Sequence, residues 1–583
     1  MPPGPSRQVP SGDETRSENE QTDPRAFTWA GWLGNSWARL RSWASGEGRT
    51  TGSQISGNFT DFLSDRQFLV WFLAVGIGIG VAYATIVFRW SIGILQIPWL
   101  GTQSENVFKA ARLMPWYVIL LTPVVGGLIV GMLLERFAPG RRAHGVADVI
   151  EARALGDCKI PTAQGLWGAT LSVISLGFGA SAGREGPMVH LGATMASWLE
   201  DRFNLSQGAR RALLASGVAA AVSASFNAPL AGVLFAHEVI LAHFALRAFI
   251  PVVIASVTAA VITRIHLGDF PAFVVPQHSI TSYLEFPAFA LLGVTCAMVA
   301  IIFQLSLITT ERFAWSIKLP LWARPTVGGL LVGCIAVFFP QVLGVGYDAT
   351  DMALHQRFEL WLLLILIVAK TAATAITLAS RFAGGVFSPS LYLGAMTGCA
   401  FGFIASSAFP EMASGNGLYA LLGAGAVAAS VLGAPISSTL IMFELTGGYN
   451  MTIALLLTVS IAHGLTQAVL GHSFFHWQLT KRGLSLQEGP HKEIMQRVTV
   501  ADFMIPLEPS EPSPPAIEKD VDPWLAPSDT LEHALRIFDR SGLTRVVVAA
   551  DKASNKAVGW VDRMTAISTF NKELIQSHEE EHK

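Results

Sequence analysis

Between positions 67 and 480 the chain is built from long apolar stretches separated by short polar breaks. Runs with no Asp, Glu, Lys or Arg cover 67–88, 113–134, 160–183, 212–237, 286–310, 325–347, 382–410, 412–443 and 445–480. About 20 apolar residues cross a bilayer core as a helix, so each run is long enough to span. Others, at 186–199 and 360–369, are too short. Short segments interrupted by Gly and Pro predict half-helices that end inside the membrane, giving roughly ten to eighteen helical pieces in all.

Two stretches of this region match. Ala212-Leu213-Leu214-Ala215-Ser216-Gly217 leads to Ala228-Pro229 and then Glu238; Ala420-Leu421-Leu422-Gly423-Ala424-Gly425 leads to Ala434-Pro435 and then Glu444. In each, the Glu lies nine residues after the Pro. A Gly-x-x-x-Pro element precedes both, at Gly183–Pro187 and Gly385–Pro389. Paired halves of this kind mark a repeated transporter architecture, whose binding site lies where broken helices of the two repeats meet.

Charge sharpens this picture. The 583 residues are 51% hydrophobic and 14% charged, with a formal net charge of -2. Soluble domains average about 25% charged residues, and here the deficit is concentrated between 67 and 480, which excludes a soluble enzyme and leaves a polytopic membrane protein with polar ends. Near-neutrality argues against a nucleic-acid partner. Cys158, Cys296, Cys334 and Cys399 are scattered and propose neither disulfides nor a zinc site. The first 25 residues, rich in Pro, Ser, Glu and Gln, read as a disordered tail rather than a signal or transit peptide. Trp29, Trp32, Trp37 and Trp43, with Arg39 and Arg41, fit either an interfacial helix over 27–43 or an ordinary surface helix.

The chemistry points to one glycine-rich break, Gly177 to Pro187. Arg184 and Glu185 are costly to bury in apolar surroundings, so they are functional candidates by default. On that ground alone they read equally as a structural ion pair. Glycines permit close backbone approach, and Pro187 suits the first turn of a helix whose free N–H groups would face an anion. Val386-Phe387-Ser388-Pro389 offers a second such helix start. Two converging N-termini hold an anion without a full positive charge, so that it binds and still leaves. The segment His237-Glu238-Val239-Ile240-Leu241-Ala242-His243 fails as a metalloprotease motif: the second His must follow four residues after the first, and Leu241 stands there.

At these elements the chain resembles the CLC family of chloride channels and chloride/proton exchangers. Gly183-Arg184-Glu185-Gly186-Pro187 matches the family's Gly-Lys/Arg-Glu-Gly-Pro motif, and Gly385-Val386-Phe387-Ser388-Pro389 its Gly-x-Phe-x-Pro motif. Phe226-Asn227-Ala228-Pro229-Leu230-Ala231-Gly232 is similar to the family's next helix start. The resemblance implies a homodimer with one anion path per subunit, built from two inverted repeats with broken helices. It implies that Glu185 is a gating carboxylate competing with chloride, and that Val386 and Phe387, with Arg184 and Gly186 nearby, surround the ion. Chloride is then the permeant ligand, and no cofactor or metal is implied.

Three departures bear on mechanism. The family's first anion motif, Gly-Ser-Gly-Ile-Pro, has its best counterpart in Ala143-His144-Gly145-Val146-Ala147, with His144 at the chloride-binding Ser. Phe475 replaces the family's inner Tyr, and Val239 replaces the intracellular proton-transfer Glu of exchangers. The first two changes remove hydroxyl donors. An imidazole at 144 adds a charge on protonation and titrates near neutrality, which predicts pH-dependent conduction unless His144 is a capping residue outside the path. Val239 favours a passive channel over an exchanger. Glu238 and His237 remain candidates for another proton route, with Glu238 equally readable as a buried structural carboxylate like Glu444.

Domains therefore read as a tail with an interfacial segment at 1–66, a transmembrane domain at 67–480, and a linker with a small α/β domain at 481–583. The last has a strand–helix–strand order similar to a CBS regulatory module, with one fairly complete copy and a Pro-rich linker at 508–523. Gly559-Trp560-Val561-Asp562-Arg563-Met564-Thr565 lacks both key residues of the nucleotide-binding copies, so a structural or dimer-stabilising role is expected rather than nucleotide sensing. The expected protein is a multi-pass chloride channel of a cell (inner) membrane, both termini cytoplasmic. A chloride/proton antiporter and a membrane-embedded ligand sensor are its rivals.

Overall fold

The helical region opens with α1 (Gln67–Leu100), α2 (Trp116–Arg136), α3 (Val146–Leu155) and α4 (Thr162–Gly177). It continues through α5 (Glu185–Glu200), α6 (Gln207–Phe226), α7 (Pro229–Phe235) and α8 (Leu246–Leu267). After α9 (Phe286–Ser316) come α10 (Ala323–Phe338), α11 (Tyr347–Leu354), α12 (Leu360–Ala379) and α13 (Phe387–Ala408). α14 (Asn416–Leu432), α15 (Pro435–Thr446), α16 (Tyr449–Leu470) and α17 (Phe474–Lys481) complete it. This computed structural model describes residues 66–583 except 104–106, 156–157, 204, 269–279, 412, 447–448, 485–489, 508–522, 551–556 and 583. The tail, the aromatic segment 27–43 and nearly all of the linker 508–523 lie outside the described residues. Of the unit formed by residues 1–68, only 66–68 are described.

Among the described residues seven helices are long and apolar enough to cross a membrane, and shorter apolar ones cover Pro229–Leu241, Ala323–Phe338 and Asn416–Leu432. Several uncharged runs turn out to be two helices. Asn227, at φ 59°, ends α6 in the left-handed conformation and Pro229 starts α7 two residues later; Gly433, at φ 73°, and Pro435 do the same between α14 and α15. Asn and Gly are the residues that tolerate such a C-terminal cap, and Pro suits the next helix start. The expected half-helix at 360–369 is corrected: α12 runs on through Lys370 for 20 residues. That lysine is 0% exposed, and its ammonium donates to the Val342 and Gly344 carbonyls, both at 3.0 Å, so the charge does not end the helix.

The two halves repeat one packing scheme. A Cβ on Gly192 of α5 would lie 2.4 Å from the Gly217 carbonyl of α6, and one on Gly394 of α13 would lie 2.2 Å from the Gly423 carbonyl of α14. Gly192 and Gly394 each stand seven residues after the first residue of their helix. Glycine lets backbones approach closely, the usual adhesion of membrane helices, which lack a hydrophobic drive between them. The glycine faces of α2 and α10 meet likewise: a Cβ on Gly127 would sit 2.2 Å from the Pro325 carbonyl, and one on Gly329 2.1 Å from that of Pro123. The halves also cap each other. Glu444, on α15, accepts the N–H groups of Leu230 (2.9 Å) and Ala231 (2.8 Å) at the start of α7. Glu238, just beyond α7, accepts those of Ile436 (2.9 Å) and Ser437 (2.8 Å) at the start of α15, and the Ser437 hydroxyl.

After α18 (Pro490–Arg497) comes a four-stranded sheet of order β1-β4-β3-β2, formed by β1 (Ile505–Pro506), β2 (Trp524–Leu525), β3 (Arg545–Ala549) and β4 (Ala557–Asp562). β2 and β3 pair in parallel across α19 (Leu531–Ser541), the crossover such pairing requires, and α20 (Arg563–His582) follows β4. Leu531, Phe538, Val546, Val548 and Val561 form its core. The strand–helix–strand order read from the sequence is present.

Candidate functional site

Two helix N-termini meet at the junction of the halves. α5 begins at Glu185 and α13 at Phe387, and neither start is capped by a side chain. Gly183 and Gly385, just upstream, form an antiparallel bridge with two N–H to carbonyl hydrogen bonds of 2.7 Å. A Cβ on Gly385 would stand 3.1 Å from the Gly186 nitrogen, so the glycines of both motifs permit this approach. Helix N-termini carry partial positive charge and free N–H groups, so the junction favours an anion. The Phe387 ring is wedged against Phe226 at 4.9 Å and Phe235 at 6.2 Å.

The anionic group at this junction is the chain's own. Glu185 is 1% exposed. Its Oε1 accepts hydrogen bonds from the Tyr347 hydroxyl (2.5 Å) and the Ser388 hydroxyl (2.6 Å). Arg184 forms a long ion pair with it, Nε lying 3.9 Å from Oε1, as the structural-pair reading allowed, and its guanidinium lies over the Tyr347 ring at 4.8 Å. This buried carboxylate is thus held by two hydroxyls at Oε1, with the Arg184 guanidinium nearby, while its Oε2 has no hydrogen-bond partner among the described residues. Tyr347 reaches it from the start of α11 because Gly344 and Gly346 turn the chain at φ 62° and 90°. The second turn brings the backbone against the Tyr392 ring, where a Cβ would meet Cδ2 at 2.8 Å.

Cavities flank this carboxylate. The larger, about 790 Å³, is lined by His144, Gly145, Glu185, Gly186, Val386, Phe387 and Phe475. Its wall also carries Arg141, Arg142, Arg324, Arg381, Lys481 and Arg482 against Asp148 and Glu311, a surplus of positive charge that concentrates anions. The smaller, about 40 Å³, is bordered by Arg89, Gln96, Arg184 and Gly344–Tyr347. Glu185 lines the first, while its partner Tyr347 and neighbour Arg184 line the second.

Most residues expected from the sequence gather here, but not all. His144, at the cavity wall, is buried, and its ring stacks on that of His190 with centroids 5.4 Å apart and planes 25° apart. The Gly145 N–H is already donated to Asp148 at 2.8 Å, which caps the start of α3. Phe475, on α17, presents a buried ring without a hydroxyl. His237, Glu238 and Val239 do not line the cavity. His237 Nδ1 bonds the His243 carbonyl at 3.0 Å and its ring stacks on Phe244, and Glu238 is engaged by α15. No group of three or more His, Cys, Asp or Glu suited to a metal occurs among the described residues. Tyr347 and His190 were missed by the sequence reading. Tyr347 follows a Gly-x-Gly turn that is a weak signal for a special backbone, and His190 shares a charge-poor helix with Glu185.

Comparisons with known proteins agree with this geometry. A family model described as voltage gated chloride channel matches residues 126–467. A "chloride channel protein ClcB-like" of Ralstonia nicotianae is 34% identical over 386 residues, covering 65% of this chain and 90% of that one. The "voltage-gated ClC-type chloride channel ClcB" of an Escherichia coli strain is 30% identical over 415 residues, covering 70% and 98%. Among solved structures, a slow cyanobacterial Cl-/H+ antiporter superposes with a TM-score of 0.62 at 23% identity, covering 72% of this chain and 99% of that one. A CLC-type fluoride/proton antiporter gives a TM-score of 0.59 at 23% identity, covering 70% and 97%. At such identities these two speak for the fold.

Proposed function

The chain belongs to the CLC family of voltage gated chloride channels, a multi-pass membrane protein acting as channel or antiporter, and from that premise we propose that it conducts chloride passively under the control of Glu185. The observation that carries this is the position of the Glu185 carboxylate. It occupies the meeting point of two helix N-termini, at the end of a cavity of about 790 Å³ whose wall is rich in Arg and Lys. A chloride ion and the carboxylate compete for the same N–H groups, so the path is closed while Glu185 is ionised in place and opens when protonation weakens its hold. Arg184 and Gly186 flank this position, and the Val386 and Phe387 N–H groups face the ion.

Passive conduction is favoured over exchange by the residues at the positions where exchangers of the family carry protons. Val239 carries no proton, and Glu238 is saturated by two N–H groups and a hydroxyl. Phe475 supplies no hydroxyl, so of these two substituted positions only His144 brings a polar side chain to the cavity wall. Its protonation adds positive charge beside the permeating anion, so acid raises occupancy; Asp148, Glu151, Arg142 and Arg482 surround it electrostatically. Replacing His144 by Ser would then flatten the pH dependence of anion flux, and an unchanged profile counts against this role. Antiport is the second reading, favoured by the solved structures of similar fold, which are described as antiporters.

On the pattern of the family the protein is read as a homodimer with one path per subunit, set in a cell (inner) membrane with cytoplasmic termini. The domain after α17 is taken as a CBS-like module of structural or dimer-stabilising role, with neither adenosine-nucleotide sensing nor action as a ligand sensor. Measuring the reversal potential under a proton gradient at fixed chloride tests passive conduction. A potential that ignores the proton gradient is expected, and one that shifts with it establishes coupling instead.

A further inference from the structure

Lys370 stands directly behind the turn that delivers Tyr347 to Glu185. It is the only Asp, Glu, Lys or Arg of α12 and is 0% exposed. An ionisable side chain withdrawn from water inside a membrane helix is costly, so its place calls for an explanation. Its ammonium donates to the carbonyls of Val342 and Gly344, both at 3.0 Å, and lies over the Tyr392 ring at 5.2 Å. These carbonyls belong to the turn that leads into Tyr347, and carbonyls buried in a turn need donors from elsewhere. A Cβ on Gly346, the residue before Tyr347, would stand 3.4 Å from the lysine nitrogen. The head of Lys370 therefore abuts the backbone from which the Tyr347 ring departs.

We propose that Lys370 is a positioning residue of the gate: it fixes the turn 342–346 so that the Tyr347 hydroxyl meets Glu185. The inference rests on the reading of Glu185 as the gate. Two further links tie this turn and α12 to the segment that ends in Glu185. The Gly344 N–H donates to the Gly179 carbonyl at 3.3 Å, and the hydroxyls of Thr374 and Ser181, both buried, are 3.3 Å apart. Thr374 lies four residues beyond Lys370, on the same face of α12. One helix face thus holds the glycine-rich break through Thr374 and the Tyr347 turn through Lys370, and between them Tyr347 meets Glu185 Oε1 at 2.5 Å. Without the lysine, Gly344 at φ 62° and Gly346 at φ 90° leave the turn free to take other conformations, because glycine adopts either sign of φ readily. The hydroxyl then loses its fixed approach, and the ionised carboxylate is held less well.

The rival explanation is the lysine charge acting on Glu185 through space. Asp348 is the charged group that acts on Lys370, and it spends Oδ2 on the Phe108 N–H at 2.6 Å and Oδ1 on the Ala349 N–H at 2.9 Å. Of the helices packed on α12, α13 brings Tyr392, α9 carries Glu311 and Arg312 in its last two turns, and α10 carries Arg324 in its first. Glu185 itself faces Arg184 and Tyr347. Of the helices packed on α5, α4 has no acidic, basic or imidazole side chain, α6 has Arg210 and Arg211 in its first turn, and α3 has Asp148, Glu151 and Arg153. Apart from Tyr347, none of these groups differs between the variants below, so a change in the pH of opening reports on Lys370 and Tyr347.

The test is chloride efflux from liposomes against pH, with the full-length protein. Lys370→Met keeps most of the stem and removes the donor. The pH of half-maximal flux rises by about one unit, as loss of one hydrogen bond to a charged group implies. In the Tyr347→Phe background the same substitution adds no further shift, whereas a charge acting through space would add its shift there too. A Lys370→Met profile that superimposes on the intact chain's or moves to lower pH, or shifts that add in the double variant, overturns the positioning role and leaves the gate reading intact. If Lys370→Met does not fold, by thermal unfolding in detergent, Lys370→Gln keeps a donor on a shorter stem; it gives a smaller rise that again vanishes with Tyr347→Phe, and the same results overturn the role. A Glu185→Gln variant that keeps the intact chain's pH dependence overturns the gate reading, and the positioning role with it.

Discussion

Replacing Tyr347 by Phe isolates the contribution of one hydroxyl to closure. The ring is buried, carries Arg184 on its face, and is retained, so the change removes a single donor at 2.5 Å from Glu185 Oε1 and opens no cavity. A hydrogen bond to a charged group is worth about 1.5–3 kcal/mol. Ser388 still donates at 2.6 Å, so the lower end of that range applies. About 1.4 kcal/mol is a tenfold change in an equilibrium, so the closed state loses about a factor of ten relative to the open one. If one proton on Glu185 opens the path, the pH of half-maximal chloride flux rises by about one unit. Chloride efflux from liposomes, measured against pH for the intact chain, Tyr347→Phe, Ser388→Ala and the double variant, gives both the shift and the coupling between the hydroxyls. A Tyr347→Phe profile superimposable on that of the intact chain, in a protein of unchanged thermal stability, would refute the idea that this hydroxyl holds the gate.

Two further substitutions separate structural carboxylates from functional ones. Glu238→Gln weakens the cap on α15 and is expected to cost about 1–3 kcal/mol of stability while leaving the pH profile of chloride flux unchanged, with Glu444→Gln behaving alike; lost proton sensitivity without lost stability would return Glu238 to a proton path. In the C-terminal domain, hydrogen bonds from Arg545 to Asp562 hold that carboxyl below its ordinary range, outweighing a small opposing desolvation. A lowered folded-state value means that the stabilisation is present above about pH 4, the unfolded value, and is lost as pH falls through the folded one. Asp562→Asn should therefore speed hydrogen exchange in β3 and β4 near neutral pH by an amount matching less than about 1 kcal/mol, as exposed pairs do, and leave it unchanged once acid has protonated the carboxyl in the intact chain.

What the sequence made legible depended on how local each signal was. Gly183–Pro187 and Gly385–Pro389 stood out because ionisable or helix-starting residues sit among glycines in apolar surroundings, and the structure joins these two segments. The repeat was readable because Asn227 and Gly433, Pro229 and Pro435, and Glu238 and Glu444 recur in the same order. Counting charges misjudged α12, because a lysine satisfied by two carbonyls is not a helix boundary. The partners of Glu185 and Glu238 lie 162 to 203 residues away in the chain, so no local pattern announced them. The closeness of His237, Glu238 and Val239 in sequence proposed a joint role that the geometry does not assemble, since Glu238 is turned to the other repeat.

The central claim is that one carboxylate closes the anion path, and Glu185→Gln addresses it with the smallest change of shape. Chloride flux and proton flux are recorded together from liposomes holding the intact chain or this variant, at neutral and at acidic pH. An amide is neutral at every pH and competes weakly for the helix N-termini, so the account predicts chloride flux that is already high at neutral pH, with only the smaller acid response that His144 supplies. Chloride flux in Glu185→Gln that keeps the intact chain's magnitude and pH dependence would contradict it.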